Sequence, residues 1–594
     1  MIFPKPQNAI FENSVYVLKC NYNCRNHNEL FYMYKDGNSD INVINNPDMS
    51  KEEYLLTINS DGICVTSSCD EGKYRAFTSL FQLLKQGKEK VCCCEVHDKP
   101  QFERRAYMLD ISRCRMPKPE TVKKIIDFLS YLKYNEIQLY MEGECYKYSS
   151  YPKYTEDFDC LDCNDIKELD KYCRERYIDF VPNQNSFGHL TPWLKHEEFR
   201  PLALGNENTN SGTINPLIDE SLDFIDNVYS SLLPHFSSEY VNVGLDEAYG
   251  LGKFQMEEYC RVHGKAAAFM QWLQKLDNLT KSKYNKKVMF WSDMIYGDEE
   301  VYHMIPKDSV VLEWGYELIQ SQRMAEHCIK YRDAGLNFYV CPSCNTHLSF
   351  TGRADVTTFN IRTAAEVGLK YGAKGIMITD WGCEEGHPHF GVWSAVPCAL
   401  AGQYGWNVGK EQDGESFKAD FIRNAERFTD EALFGGKNIS RLMYRMANYY
   451  LLEPERVHVG SMCGQLFKTP ISNSRFNHLY DLKDSGDVFY FDNVTAYVKK
   501  VITDIEAVDF DKQLKREILL NSRCVILSSE LCKLRIGEKF SKNKINELIE
   551  LCDEIKNEYY KLWCIRNYEK GSENFINQLN LRKTELEELL QNDV

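Results

Sequence analysis

The sequence predicts an α/β fold, a (β/α)8 TIM barrel with an N-terminal α+β domain and a C-terminal α-helical domain. Three observations carry this. From Arg105 onward, eight apolar runs alternate with amphipathic helical segments over roughly 300 residues, the count of one such barrel. Ahead of them stand several short strand-like runs around one clear helix. Beyond about residue 406 strand signals fade and long helical patterns with polar faces take over. At 594 residues the chain exceeds one ordinary domain. The boundaries are expected at 1–98, 99–405 and 406–594.

In the first domain, 14–18 and 54–58 read as strands, and Asp61-Gly62 marks a turn before 63–66. Residues 73–86 have the apolar spacing of a helix, and 91–96 that of a strand. His97-Asp98-Lys99-Pro100 is a linker. The barrel strands are expected at 106–111, 136–141, 178–182, 240–243, 288–291, 310–314, 337–340 and 375–379, with helices such as 119–132, 165–177 and 357–371 between them. Pro119 and Glu120 suit a first helical turn. A doubly wound open sheet is the alternative, weakened because no G-x-G-x-x-G follows the first strand. In the last domain, 494–508, 512–530, 544–567 and 573–590 are helical patterns without a sustained heptad, which argues against a coiled-coil arm.

Composition narrows the function. A net charge of -16 argues against nucleic acid or an anionic membrane as main partner. No apolar run of membrane length occurs and no signal-like opening is present, so a soluble, cytoplasmic protein is expected. The 23 cysteines, several inside apolar runs, read as reduced buried thiols. Two CxxC pairs, Cys160/Cys163 and Cys341/Cys344, lie far apart without nearby histidines, so no metal is expected.

In a barrel the chemistry sits just past each strand's carboxyl end. There the sequence places Asp110, Ser112 and Arg113; Glu142, Glu144 and Tyr146; Asn185 to His189; Asp246 and Glu247; Trp291 and Asp293; Glu313 and Trp314; Tyr339 and Cys341; and Asp380, Trp381, Glu384, Glu385 and His387. The apolar run Tyr240-Val241-Asn242-Val243 ends in Gly244-Leu245-Asp246-Glu247, two adjacent acids suited to different tasks. A solvated junction with one acid capping a helix is the bland reading. Three of only eight tryptophans close barrel strands beside carboxylates. Such an aromatic box gives apolar faces to a sugar ring, and acids together with Arg105 can bind its hydroxyls.

These residues carry a resemblance. The stretches Arg105-Ala106-Tyr107-Met108-Leu109-Asp110-Ile111-Ser112-Arg113, Gly244-Leu245-Asp246-Glu247 and Thr379-Asp380-Trp381-Gly382, with Trp291 and Trp314, resemble family 20 glycoside hydrolases, the β-N-acetylhexosaminidases. The loop Asn185-Ser186-Phe187-Gly188-His189-Leu190 and the C-terminal helices resemble one subgroup. The resemblance covers roughly residues 1–406. It implies retaining, exo-acting hydrolysis of terminal β-linked GlcNAc or GalNAc, in which the sugar's own 2-acetamido oxygen attacks the anomeric carbon. Glu247 would be the general acid, its pKa raised by burial, and Asp246 would orient the acetamido N–H. Arg105 would bind ring hydroxyls, Trp291, Trp314 and Trp381 would enclose the sugar, Tyr339 would reach the acetamido oxygen, and His189 would support the acid or touch a hydroxyl. No cofactor is implied; the partners are amino-sugar glycosides, with a homodimer left open.

Departures stand beside the matches. Ala106 replaces a usual Gly, and Cys383 stands where an acid is expected, so Glu384 or Glu385 would take over the distal hydroxyls. A Trp is expected near His347 and is absent. Two competing readings remain: a non-catalytic sugar-binding barrel, and a glycosidase with a conventional nucleophile such as Glu313 or Glu142.

Overall fold

The computed structural model describes residues 1–19, 22–39, 41–87, 89–206, 209, 211–383, 387–388, 390–409, 415–472 and 489–592. The N-terminal domain is a five-stranded sheet in the order β1-β5-β3-β4-β2, formed by β1 (Asn8–Val17), β2 (Asn42–Asn45), β3 (Tyr54–Asn59), β4 (Gly62–Ser67) and β5 (Lys90–Asp98). All pairs are antiparallel except β2 with β4. Along β3, Tyr54, Leu56 and Ile58 are buried and alternate with half-buried neighbours, the period of a sheet covered on one face. Helices His27–Lys35 and Asp70–Leu84 supply apolar side chains to the same core. The expected strands and the second helix are present. Strand β2 and the first helix escaped notice, β2 because Asn flanks only two apolar residues.

Eight parallel strands then close a barrel: β6 (Arg104–Asp110), β7 (Glu136–Met141), β8 (Asp179–Gln184), β9 (Tyr240–Asn242), β10 (Lys287–Trp291), β11 (Val310–Trp314), β12 (Asn337–Cys341) and β13 (Gly375–Asp380), with β13 pairing β6. Side chains alternate between lumen and helix layer. Ala106, Met108, Tyr140, Val181, Met289, Trp291, Leu312, Tyr339 and Met377 fill the lumen, whereas Tyr107, Leu109, Phe180, Phe290 and Phe338 pack outward against the helices.

The expected helices of the last domain occur at Tyr490–Glu506, Lys512–Arg535, Lys542–Arg566 and Ser572–Asn592, preceded by Glu415–Leu433, Ile439–Met446 and Met462–Phe467. Their apolar faces form a second large core that takes in Phe350, Phe390 and Trp393 from the barrel's upper loops, except that Phe421, Ala425 and Phe428 of Glu415–Leu433 pack into the barrel's own core. Asn521 anchors the contact, its amide donating to the Pro388 carbonyl at 2.8 Å and also to that of Phe350. The helical domain therefore rests on the end of the barrel where the strands finish. Among the described residues no cysteine is paired in a disulfide, most cysteines are buried, no three His, Cys, Asp or Glu side chains gather as a metal set, and no helix is long and apolar enough to cross a membrane.

Candidate active site

The short strand β9 delivers Asp246 and Glu247 through an unusual turn. Leu245 and Glu247 adopt left-handed backbone (φ 76° and 47°), as does His189 across the cleft (φ 55°). Such conformations are disfavoured for non-glycine residues and cluster at functional sites. The turn cancels the alternation of a regular strand, so both carboxylates face the same imidazole: His189 Nε2 lies 3.3 Å from Asp246 Oδ2 and 3.2 Å from Glu247 Oε2. Gly188 permits this approach, since a Cβ there would sit 2.3 Å from the Asp246 carbonyl oxygen.

Asp246 is buried, and its Oδ1 has no hydrogen-bond partner among the described residues. Glu247 is half-buried, and its backbone N–H donates to Asp293 Oδ2 at 2.9 Å. The other oxygen of Asp293 accepts the Trp314 indole N–H at 3.3 Å. Burial, reinforced by the charge of Asp246, pushes the Asp293 carboxyl up to about 7. His189 is held well above the ordinary imidazole value; burial opposes this, and Asp246 and Glu247 override it. The contact with His189, against the opposing effect of burial, in turn keeps Glu247 below the ordinary carboxylate value. This corrects the expectation of a raised Glu247. Both shifts favour the proton on the imidazole over Glu247.

Arg113, just past β6, completes the polar side. It donates to Glu142 Oε1 at 2.8 Å and Asp110 Oδ2 at 3.1 Å, and lies over the rings of Tyr140 and Trp381 at 5.3 and 5.2 Å. Glu142 is further fixed by the Tyr140 hydroxyl at 2.8 Å. Trp291, Trp314 and Trp381 form the apolar side; Trp291 and Trp381 stand 6.0 Å apart, and the Trp381 indole donates to the Tyr316 hydroxyl at 2.8 Å. Arg113, the three indoles and Tyr316, with His189, Asp246 and Glu247, line a cleft of about 520 Å³, the size of a small-molecule site.

Most sequence-derived site residues therefore meet in one cleft: Asp246, Glu247, His189, Trp291, Trp314 and Trp381. Two do not. Arg105 has odd parity against the lumen residues Ala106 and Met108, so it points outward, and it sits at the strand's amino end. Its buried guanidinium is bound by Glu52, donates to the carbonyls of Lys133 (2.9 Å) and Phe102 (2.8 Å), and lies over Trp406. It staples the N-terminal domain to the barrel. Arg113 occupies the site instead, and its place past the strand's carboxyl end was the available signal. Tyr339 points inward but too deep: its hydroxyl donates at 3.2 Å to Glu136, the first residue of β7. Tyr316, in the loop after β11, lines the cleft instead. Glu384 and Glu385 lie outside the described residues. Sequence reasoning also missed Asp293 as a partner of the acid turn, the imidazole of His347, and three residues from the helical domain, His458, Val459 and Lys468, which line the same cleft.

With this geometry in place, comparison with known proteins is decisive. Residues 2–99 match the family description "Glycosyl hydrolase family 20, domain 2", and residues 102–368 match "Glycosyl hydrolase family 20, catalytic domain". The chain belongs to glycoside hydrolase family 20. Among its relatives, a β-hexosaminidase of Vibrio furnissii is 23% identical over 317 residues, covering 47% of this chain and 51% of the relative. A β-hexosaminidase of Akkermansia muciniphila is 26% identical over 337 residues, covering 51% and 66%. The match to the Vibrio furnissii protein thus spans about half of that relative. Among solved structures, a Flavobacterium johnsoniae chitobiase superposes with a TM-score of 0.60 at 16% identity, covering 95% of this chain and 99% of that one. A Vibrio harveyi exo-β-N-acetylglucosaminidase in complex with N-acetylglucosamine gives 0.58 at 18% identity, covering 71% and 76%. These likenesses establish the fold. The family 20 catalytic match ends at residue 368, within the helix Ala354–Tyr371, and leaves β13 with Trp381 beyond its end.

Proposed function

We propose that this protein is a retaining exo-β-N-acetylhexosaminidase that uses the 2-acetamido group of its substrate as the nucleophile. The observation that carries the reading is Asp246 Oδ1, a buried carboxylate oxygen with no donor among the described residues, beside Glu247 and three indoles in one cleft. A buried acceptor left unpaired is costly unless a ligand supplies the donor, and an acetamido N–H is such a donor. Asp246 accepts that hydrogen and turns the acetamido carbonyl oxygen toward the anomeric carbon.

In the first step the carbonyl oxygen bonds to the anomeric carbon while the glycosidic C–O bond breaks. The leaving oxygen takes a proton from Glu247 and departs as an alcohol. The positive charge of the resulting oxazolinium ion lies against Asp246. In the second step Glu247 takes a proton from water, the water oxygen bonds to the anomeric carbon, and the acetamido carbonyl is released. Two inversions give net retention. Glu247 must be protonated for the first step, and His189, 3.2 Å away and with a raised proton affinity, is placed to supply that proton. As a sugar displaces water from the cleft, the charged form of Glu247 is penalised further and the proton moves onto it.

Two observations disfavour a conventional nucleophile. Glu313 points into the helix layer, where His327, Ser292 and Tyr331 bind it at 2.8, 2.9 and 2.8 Å. Glu142 is locked by Arg113 and Tyr140. Chromogenic β-GlcNAc and β-GalNAc glycosides test the reading: wild-type protein should release the chromophore, and Glu247→Gln should be slower by ~10²-fold or more. A thiazoline mimic of the intermediate should inhibit. Cleavage of 2-hydroxy glycosides as fast as the 2-acetamido ones would refute it.

A further inference from the structure

The barrel order places β9, which carries the acid turn, four steps from β13 in a ring of eight, directly across the lumen. The end of the cleft away from Glu247 is therefore bounded by the loop after β12, with His347 and Leu348, and by Trp381 to Cys383 just after β13. Two features there are unused by the reaction described above. One is His347, after β12. It is only 8% exposed, lines the cleft, and its Nδ1 has no hydrogen-bond partner among the described residues. Burial, helped by Arg353 and Arg113, lowers its pKa to about 3, so the ring is neutral and offers one donor and one acceptor.

The other is the segment 458–460, from the helical domain. Val459 has φ 58°, a conformation that a β-branched residue adopts only when its surroundings impose it. Here they do. The Val459 N–H donates to Glu317 Oε1 at 3.2 Å, and the amide of Gln465 donates to the carbonyls of His458 (3.0 Å) and Val459. Gly460 (φ 85°) presses on the loop after β12, where a Cβ would stand 2.4 Å from the Leu348 carbonyl oxygen. Ser461 N–H donates to that same carbonyl at 3.0 Å. The strained residue is thus clamped to the barrel from both sides, and it lines the sugar cleft.

We propose that His347 and the clamped segment 458–460 together form the specificity-determining end of the cleft, His347 binding the hydroxyl at C4 of the terminal sugar and Val459 closing the wall beside it. The inference rests on the hexosaminidase reading. In a sugar whose anomeric carbon lies at Glu247, C4 is the ring carbon furthest from the scissile bond, and its configuration is what separates GlcNAc from GalNAc. The helical domain then takes part in substrate recognition, in addition to supporting the barrel.

The test compares chromogenic β-GlcNAc, β-GalNAc and 4-deoxy-β-GlcNAc glycosides on wild-type protein and on His347→Leu, His347→Asn and Val459→Gly. A site built to bond a hydroxyl loses its advantage when either partner is removed. His347→Leu should lower kcat/KM for the better natural epimer by ~10-fold or more, yet change the 4-deoxy substrate by less than about twofold. His347→Asn, which keeps a polar group near the Nδ1 position, should recover part of the loss. Val459→Gly relieves the backbone strain, so the protein should fold, while KM rises about threefold or more with kcat little changed. Equal losses on all three substrates, or none on any, would overturn the proposal while leaving the catalytic reading intact. Wild-type protein that neither cleaves these glycosides nor binds the free amino sugars by calorimetry would overturn both.

Discussion

Replacing Asp246 by Asn keeps the shape of the side chain and removes one negative charge from the wall of the cleft. The effect should fall on the chemical step. Asp246 is buried, its Oδ1 has no donor among the described residues, and His189 lies 3.3 Å from its Oδ2. The intermediate places a full positive charge on the acetamido group that Oδ1 would bind. At about 4 Å and an effective dielectric constant of about 20, such a pair is worth about 4 kcal/mol. Removing one preorganised group aimed at developing charge typically costs ~2.7–4 kcal/mol. Both figures correspond to a fall of ~10²–10³ in kcat. KM should change far less, because the charge that Asp246 meets is absent from the ground state. Initial rates on a chromogenic β-GlcNAc glycoside, with circular dichroism of the variant to verify its fold, measure this directly. A folded Asn variant that keeps more than about a tenth of the wild-type kcat would refute the placement of Asp246 against the intermediate.

The two arginines should separate cleanly. Arg105→Met leaves Glu52 short of a buried cation and should destabilise the protein by ~3–5 kcal/mol in denaturant unfolding, with kcat/KM unchanged within about twofold. Arg113→Lys keeps the charge but loses the planar fork held between Glu142 and Asp110, and should lower kcat/KM by ~10–100-fold; the reverse pattern would restore Arg105 to the site. The cluster of Asp246, Glu247 and His189 is active while it holds its proton, and the folded protein raises the affinity of His189 for that proton. Activity should therefore fall with rising pH only above the ordinary histidine value of about 6.5, and in His189→Phe that limb should move down toward the carboxylate range; an unmoved limb would exclude His189 as the proton's holder. Tyr339→Phe should leave kcat/KM intact, since its hydroxyl serves Glu136, whereas Tyr316→Phe should reduce it through Trp381.

The barrel was legible because its strands are apolar runs of the right length between amphipathic helices. The limits of β7 and β11 coincide with those read from the sequence, and the others shift by one or two residues. The acid turn was legible for a different reason: an apolar run broken by Gly244 and followed by two acids has few structural uses. Arg105 and Tyr339 went astray over parity and depth. Both are polar residues in barrel strands, and a one-residue step decides whether such a side chain faces lumen or helix layer. Their partners, Glu52 and Glu136, lie far away in the chain and cannot be read from local pattern. The same holds for His458 and Val459, which reach the cleft only because a helical domain folds back over the strand ends. Burial alone implies a raised pKa for Glu247, and the imidazole beside it, which no local pattern shows, outweighs burial.

The central claim is that the substrate's acetamido oxygen is the nucleophile. Chromogenic β-glycosides of glucosamine carrying acetyl, fluoroacetyl, difluoroacetyl and trifluoroacetyl groups weaken that oxygen stepwise while changing the size of the sugar little. The account predicts that log(kcat/KM) falls steeply and continuously along the series. A flat series, with the trifluoroacetyl substrate cleaved about as fast as the acetyl one, would contradict it.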